Sequence, residues 1–243
     1  MNNYIEYFTN YVFSNYDMNN RLISLKYYHS LRVAWIMSLL ASQLNMNEKD
    51  ILLAFKLGLC HDLGRFYEVF LEGQFNDLKF DHASYSNKIL YNDLFVKYMD
   101  IDDHLLFRKA IYNHNKKDIT SDLNNREFTF TNLLRDADKI DILGLRGIGK
   151  KLNFSSEPNT IIMDCYMNNK SLDLHDVKND TDRTIFYLSF YKDLYYQVSH
   201  DLINKLGYLD IFTNTVNIDN DKKELFDELI KKINEERGKV YVR

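Results

Sequence analysis

The stretch LGLCHDLGRFYE, residues 57–68, decides the fold that we expect for this chain. The apolar run ILLAFKLGLC, residues 51–60, predicts a buried helix. Two strongly polar residues, His61 and Asp62, follow it directly. An unpaired imidazole or carboxylate in a protein interior costs on the order of several kcal/mol. A shared metal ion would remove that cost, so the helices around this stretch are expected to supply further ligands.

Residues that break helices are scarce in the rest of the chain, which contains one proline and eight glycines among 243 residues. Apolar residues recur at steps of three and four over long segments, as they do in amphipathic helices. The hydrophobic content of 45% is enough for one sizeable core. We therefore predict an all-α fold in a single domain that spans residues 1–243.

The net charge and the cysteine content indicate which binding partners and which cellular compartment to expect. The net charge of −4 lacks the basic surplus of nucleic-acid-binding proteins, so no nucleic-acid polymer is expected as a partner. The two cysteines form no disulfide framework and fit a reducing compartment. No apolar run approaches the roughly 20 residues that span a bilayer, and the N-terminus lacks the features of a signal peptide. A cytoplasmic protein without membrane contact is expected.

The periodicity of the apolar residues locates the helices. The predicted helices cover residues 4–16, 21–44, 48–60, 82–98, 103–114, 126–143, 160–168, 181–206 and 219–236. Residues 65–81 and 144–160 are rich in turn formers and are predicted to be loops. The core of the predicted bundle extends from about 21 to 143, and a helical extension covers about 160–237.

Polar residues occupy positions of these helices where the pattern requires apolar ones, and His29 is the first of them. A single histidine on an apolar face is more often a core residue than a ligand, but the size of the set changes this interpretation. The candidate metal ligands are His29, His61, Asp62, His82, His114 and Asp138. Imidazole and carboxylate ligands suit Mn, Fe, Co, Ni or Zn, of which one or two ions are expected.

Two aspartates compete for one position in the segment 126–143. Asp136 and Asp138 point about 200° apart around a helix, so only one of them faces the core. Leu134 and Ala137 mark the inner face. They select Asp138 as the ligand.

The order H…HD…D, with RDADKID at residues 135–141, resembles the HD-domain superfamily of metal-dependent phosphohydrolases. The strings HDLGRFYE, FNDLKFDHAS, AIYNHNK and LLRDADKIDIL resemble a bacterial subgroup of small HD-domain proteins, and the resemblance covers roughly residues 20–145. It implies an HD-type helical bundle, here with additional N- and C-terminal helices.

The resemblance also assigns the candidate ligands to metal positions. It implies a first ion held by His29, His61, Asp62 and Asp138. In two-metal members, the aspartate of the HD dipeptide bridges the ions and two further histidines follow it, which here are His82 and His114. The alternative for those two histidines is substrate contact or packing.

The expected reaction is attack of a metal-activated hydroxide on a small phosphate ester, with a nucleotide as the preferred substrate. Arg65, Lys116 and Lys139 are the candidate substrate-binding residues. The planar guanidinium of Arg65 suits a phosphate, although a salt bridge to Glu68 or Asp62 is an equal alternative. Lys139 points about 100° away from Asp138, so it reaches the rim of the site or pairs with an acid.

The proton donor is the weakest part of the resemblance. Many phosphohydrolase relatives carry an acid three or four residues beyond the HD dipeptide, where this chain has Arg65 and Phe66. Glu68 and Asp77 are the remaining candidates, and His82 or His114 could serve if only one metal binds. The candidate catalytic residues are therefore Asp62, Arg65, Glu68 and Asp77.

Two other functions are open at this point. Some relatives with the same six ligands bind two irons and activate dioxygen, so a di-iron oxygenase is the first alternative. A regulatory module that binds metal without turnover is the second. The intact ligand set argues against the module, because a domain under no catalytic demand could lose ligands freely.

Overall fold

The computed structural model describes residues 1–75, 79–90, 99–146 and 151–237. Helices dominate these ranges, in which the strands are two segments of two residues each, so the predicted all-α fold is confirmed. The chain divides into two compact units, Met1–Ala137 and Asp138–Arg243, and the division falls inside one continuous helix. The single-domain organisation stays a prediction.

The described residues of the first unit lie mostly in helices. Its helices are α1 (Asn2–Asn15), α2 (Arg21–Gln43), α3 (Glu48–Cys60), α4 (Leu63–Glu72), α5 (His82–Leu90), α6 (Ile101–Asn113) and the first part of α7 (Asn125–Arg146). Helices α2 and α3 pack along each other, and α4 packs against α5. The predicted helix at 82–98 is described as far as Leu90, and its remaining residues lie outside the described ranges.

The second unit contains the end of α7 and the C-terminal helices. These are α8 (Thr160–Met167), α9 (Asp180–Lys192), α10 (Gln197–Leu206), α11 (Tyr208–Thr215) and α12 (Lys223–Arg237), with short 3-10 turns at Leu174–Asp176 and Asn220–Lys222. Strands β1 (Asn153–Phe154) and β2 (Asn217–Ile218) pair in parallel. Aromatic side chains of α9 pack in the core, because Tyr187 and Tyr191 are buried.

Side-chain caps explain why several helices begin where they do. The Asn47 side chain accepts a hydrogen bond from the Asp50 amide at the start of α3. Asn124 and Glu127 cap α7 reciprocally, since each side chain accepts a 2.9 Å bond from the other residue's backbone amide. Such caps satisfy amide groups that have no partner inside the helix, so these boundaries follow from local sequence.

The loop predicted at residues 65–81 is wrong over its first part, because helix α4 continues from Leu63 to Glu72. Phe66 and Val69 are buried on the inner face of this helix. The helix ends at Gly73, whose φ of +68° is the left-handed conformation typical of a helix C-terminus. The turn signals in this segment therefore begin at Gly73 and not at residue 65.

The C-terminal region also differs from the prediction. The segment 181–206 contains two helices, because α9 ends at Lys192 and α10 begins at Gln197. Helix α11 was not predicted, and it starts directly after Gly207, whose φ is +65°. The three-to-four spacing of apolar residues continues across these breaks, so periodicity alone did not locate them.

Two glycines allow helices of the first unit to approach closely. A Cβ on Gly58 would lie 2.5 Å from the Cα of Ala34, which shows how tightly α3 packs on α2. A Cβ on Gly64 would lie 2.2 Å from the carbonyl oxygen of His82, so α4 is equally close to α5. Both approaches flank the turn that carries His61 and Asp62.

Candidate metal centre

The turn between α3 and α4 carries the two adjacent polar residues. Helix α3 ends at Cys60 and α4 begins at Leu63, so His61 and Asp62 form the connection. Asp62 has φ −108° and ψ 20°, outside the helical region. This change of backbone direction lets the two neighbouring side chains face the same buried region.

The carboxylate of Asp62 lies between two pairs of histidines. Its Oδ2 is 3.5 Å from Nε2 of His29 and 3.4 Å from Nε2 of His61. Its Oδ1 is 3.4 Å from Nε2 of His82 and 3.6 Å from Nε2 of His114. All five side chains are buried. One carboxylate oxygen therefore faces each histidine pair.

The imidazole rings present the nitrogen that a metal requires. The Nε2 atoms are 3.3 Å apart in the pair His29–His61 and 3.2 Å apart in the pair His82–His114. Nδ1 of His61 lies 2.8 Å from the carbonyl oxygen of Gly58, and Nδ1 of His114 lies 2.6 Å from that of Ile111. An Nδ1–H that donates to a carbonyl leaves the lone pair on Nε2, which is how ligand histidines are commonly oriented.

Asp138 reaches the same centre from α7. Its carboxylate and the rings of His29 and His61 offer ligand atoms that all lie within 4.8 Å of one another. A second such group consists of His61, Asp62 and His114. The structure thus brings together all six side chains that the sequence selected, and their role as ligands stays a prediction.

Electrostatics keep these groups in the protonation states that metals bind. Burial by itself raises the pKa of Asp62, but the Lys26 ammonium and the nearby His61 hold that pKa well below its usual range. Burial, followed by the charge of Arg65, holds the pKa of His82 well below its ordinary value. An ionised carboxylate and a neutral imidazole are the forms that ligate a cation.

A divalent transition ion fits this donor set. Oδ1 of Asp62 is buried and has no hydrogen-bond partner among the residues that the structure describes. Leaving such an oxygen without a partner is costly in a protein interior. A cation between this oxygen and the neighbouring Nε2 atoms would satisfy it, with the mixed nitrogen and oxygen ligands that Mn, Fe, Co, Ni and Zn accept.

Two of the predicted catalytic residues form an ion pair beside the centre. Nη1 of Arg65 donates to Oε2 of Glu68 at 2.8 Å, and both side chains are buried. Nε of Arg65 lies 3.9 Å from Oδ1 of Asp62. The expected alternative, a salt bridge between Arg65 and Glu68, is therefore present. Asp77 lies outside the described residues.

The two predicted substrate-binding lysines make other contacts. Nζ of Lys116 lies 2.8 Å from the carboxylate of Asp81. Asp81 directly precedes His82 in the chain, so this ion pair is next to a candidate ligand. Lys139 donates to the carbonyl oxygen of Asp193 at 3.2 Å and lies 3.6 Å from its carboxylate. The alternative that Lys139 pairs with an acid is therefore the arrangement observed.

Three polar residues near the centre were not among the site residues predicted from the sequence. Lys26 lies 2.5 Å from Oδ2 of Asp62, and the amide nitrogen of Asn115 lies 3.4 Å from Nε2 of His82. Arg135 donates to carbonyl groups in the turn after α6. A signal existed for each, because each lies one to three residues from a candidate ligand on the same helix or turn.

Arg135 fixes the turn that carries His114. Its Nη1 donates to the carbonyl oxygens of Asn113 at 2.8 Å, His114 at 3.3 Å and Lys116 at 2.5 Å. The last carbonyl groups of a helix have no partner inside the helix, and here the guanidinium satisfies them. Arg135 therefore connects α7, which carries Asp138, to the end of α6.

Replacing Arg135 with Lys is expected to weaken binding of an ion at His82 and His114 by at least about 10-fold, as loss of an outer contact to a ligand commonly does. A single ammonium cannot hold several carbonyl groups in the same geometry. Titration of Mn²⁺ into metal-free protein, followed by calorimetry, measures both sites. Arg126→Lys is the control, because Arg126 is on α7 but pairs with Asp50 and Asp103. Equal affinities in wild type and Arg135→Lys would contradict the assignment.

The helices of this protein bring together buried His and Asp side chains that could hold a metal ion. Residues 27–144 match the family model of the HD domain, and this range contains all six candidate ligands. This segment is therefore an HD domain, and proteins of that superfamily are generally metal-dependent phosphohydrolases. No curated protein and no solved structure matches the chain.

Within the described ranges, no helix combines the length and the apolar character that a bilayer crossing requires.

Proposed function

We propose that the protein is a metal-dependent phosphohydrolase that acts on a small phosphate ester, with a nucleotide as the leading candidate. The position of Asp62 carries this proposal, because one of its oxygens faces His29 and His61 and the other faces His82 and His114. With these neighbours, Asp62 and the four histidines would be able to hold two metal ions. Two-metal sites are a common solution for the hydrolysis of phosphate esters.

The residues of the chain prepare this site for phosphoryl chemistry. A divalent ion bound here would supply hydroxide at neutral pH, because metal binding lowers the pKa of water. Backbone carbonyls orient the rings of His61 and His114 in advance. Arg65 lies beside Asp62, held by Glu68, and adds positive charge where the phosphoryl oxygens develop negative charge.

Glu68 and Asp77 are the proposed sources of the proton for the leaving group. Glu68 is buried and its carboxylate lies against Arg65, one helical turn from the HD turn. Proton transfer requires hydrogen-bond reach to the leaving oxygen or to one intervening water. Substitution Glu68→Gln, with kcat compared for esters of good and poor leaving groups, tests Glu68. A larger loss with poor leaving groups is expected of the acid.

The net charge of −4 supports a small substrate. A long polyanion would meet repulsion from the acidic protein beyond the site itself. A single phosphate ester avoids this repulsion and still meets the local cations. The proposed partner is therefore a small phosphorylated metabolite.

The deciding experiment is a panel of phosphorylated metabolites tested with Mn²⁺, Fe²⁺, Co²⁺, Ni²⁺ and Zn²⁺. The panel should contain nucleoside mono-, di- and triphosphates together with sugar phosphates, and phosphate release is the readout. Hydrolysis that disappears in an Asp62 variant would support the proposal. Oxygen consumption by an iron-loaded form that hydrolyses none of these esters would favour the oxygenase instead.

Replacing Arg65 with Ala is expected to lower kcat/KM for the best substrate by at least ~10-fold, equivalent to ~1.4 kcal/mol. The reason is the loss of a charge-assisted contact that strengthens in the transition state. Steady-state kinetics measures the change. An unchanged kcat/KM would assign Arg65 to structure.

A double variant separates substrate contact from support of Glu68. Arg65→Ala leaves the buried carboxylate of Glu68 without its 2.8 Å partner, and such loss is destabilising by itself. Arg65→Ala/Glu68→Gln removes that charge as well. If the double variant has the kcat/KM of Glu68→Gln alone, Arg65 acts only through Glu68. If its kcat/KM falls below that of Glu68→Gln while stability recovers, the contact with phosphate is supported.

A further inference from the structure

Lys26 is a cation inside the centre for which the HD motif gives no role. It lies on α2, one turn before His29, and its Nζ is 2.5 Å from Oδ2 of Asp62. Its side chain is 12% exposed, so the ammonium group is largely removed from water. A lysine in such a place needs an anion as its partner, and in this structure that anion is Asp62.

The same carboxylate oxygen faces the first pair of histidines. Oδ2 of Asp62 lies 3.5 Å from His29 and 3.4 Å from His61. An ammonium group has three donors and no lone pair, so it cannot share in ligation. A metal ion and Lys26 would therefore compete for Oδ2, and their like charges would repel each other at this distance.

The surroundings of Lys26 show where a displaced ammonium group can go. Nζ of Lys26 and Cζ of Arg65 each lie 5.5 Å from the centre of the Phe75 ring. The two cations therefore flank the same aromatic side chain beside Asp62. The four-carbon stem of a lysine is flexible, so rotation about it can release Oδ2 while Nζ stays beside the Phe75 ring.

We propose that Lys26 neutralises Asp62 in the metal-free protein and, once metal takes its place at Oδ2, contacts the phosphate of the substrate beside Arg65. This inference rests on the proposed function, since it names a second phosphate contact at the same site. An anion at the metal centre then meets two side-chain cations from different helices, α2 and α4. Positive charge on two sides of a phosphoryl group favours its developing negative charge.

Lys26→Met tests both halves of the proposal, because it removes the charge and keeps an extended side chain. Calorimetric titration of Co²⁺ into metal-free protein is expected to show binding at least about 10-fold tighter than in wild type, since no cation has to leave. Titration of inorganic phosphate into the Co²⁺-loaded protein is expected to show binding about 10-fold weaker. Lys26→Arg keeps the charge and is expected to retain phosphate binding.

Lys56→Met is the matched control. Lys56 lies on α3 over the ring of Tyr4, 4.2 Å from its centre, and should affect neither titration. Unchanged Co²⁺ affinity in Lys26→Met would show that Lys26 does not compete with the metal for Oδ2 of Asp62. Unchanged phosphate affinity would show that Lys26 does not contact phosphate. If Lys26→Met does not fold, Lys26→Gln and Lys26→Arg replace it. Phosphate binding that is lost in Lys26→Gln and retained in Lys26→Arg supports the phosphate contact. Equal phosphate binding by these two variants overturns it.

The outcomes also separate this inference from the proposed function. Phosphate binding that depends on Lys26 in a protein that hydrolyses no ester would refute the proposed function and leave the contact intact. Ester hydrolysis by wild type, with wild-type phosphate affinity in Lys26→Met, would refute the inference alone.

Discussion

Asp62→Asn is expected to release the bound metal and to lower kcat by at least about 1000-fold, equivalent to about 4 kcal/mol. The carboxylate of Asp62 is within 3.6 Å of all four histidines and is the residue common to both sides of the centre. An amide has the same shape but presents one oxygen and one nitrogen donor. The amide in Asp62→Asn can therefore offer an oxygen ligand to only one of the two histidine pairs, and this oxygen carries no negative charge.

Metal analysis after gel filtration and a thermal-unfolding comparison measure this effect. Added Mn²⁺ should raise the Tm of wild type, because a ligand that binds the folded state stabilises it, and should leave that of Asp62→Asn unchanged. Asp103→Asn is the control, since Asp103 is a buried carboxylate that pairs with Lys49 and Arg126. Full metal content in Asp62→Asn would exclude Asp62 as an essential ligand.

Gly64→Ala is expected to have the next largest effect, because it combines lost stability with a displaced ligand. The added Cβ would lie 2.2 Å from the carbonyl oxygen of His82 and 3.0 Å from the amide nitrogen of Ser86. Both are backbone atoms, so no side-chain rotation relieves the overlap, and helix α5 must move away from α4. Overpacking of this kind costs about 1–3 kcal/mol.

Movement of α5 should carry His82 away from Asp62 and weaken the second ion by at least about 10-fold, while the first ion is retained. Chemical denaturation measures the stability, and Mn²⁺ titration measures the two affinities. Gly73→Ala is the matched control at the other end of α4. Its φ is +68° with no atom within 4 Å of the added Cβ, so it should cost about 1 kcal/mol through backbone strain alone. Wild-type affinity for both ions in Gly64→Ala would show that this close approach does not position His82.

The helices of the first unit could be predicted largely from the sequence. Residues 48–60 were predicted as a helix with the bounds that α3 has, and α2 ends one residue before the predicted position. Apolar spacing and local caps such as Asn47 depend on residues within one or two turns. Where breaks lacked such signals, as between α9 and α10, the prediction was wrong.

The candidate ligands were also selected from the sequence, because a polar residue on an apolar face is visible in the pattern. Asp138 was chosen over Asp136 by its register with Leu134 and Ala137, and the structure places Asp138 beside His29 and His61. Asp136 is also fully buried, so the prediction that only one of the two faces the core is wrong. The rotation of residues around a helix is a local property. This rotation predicts which residues of one helix face the core, but it does not predict which residues of different helices contact each other.

The meeting of residues was decided by the tertiary structure alone. The contact of Asp62 with His114 joins residues 52 positions apart, that of Lys26 with Asp62 joins residues 36 apart, and that of Arg135 with Lys116 joins residues 19 apart.

The sequence by itself therefore determined the all-α fold, most helix bounds and the set of residues that face inward, since these depend on hydrogen bonds and spacing along one helix. The tertiary structure decided which of those residues share a site. The physical reason is that the distance between two helices depends on the packing of side chains from both, as the contact of Gly64 with His82 illustrates.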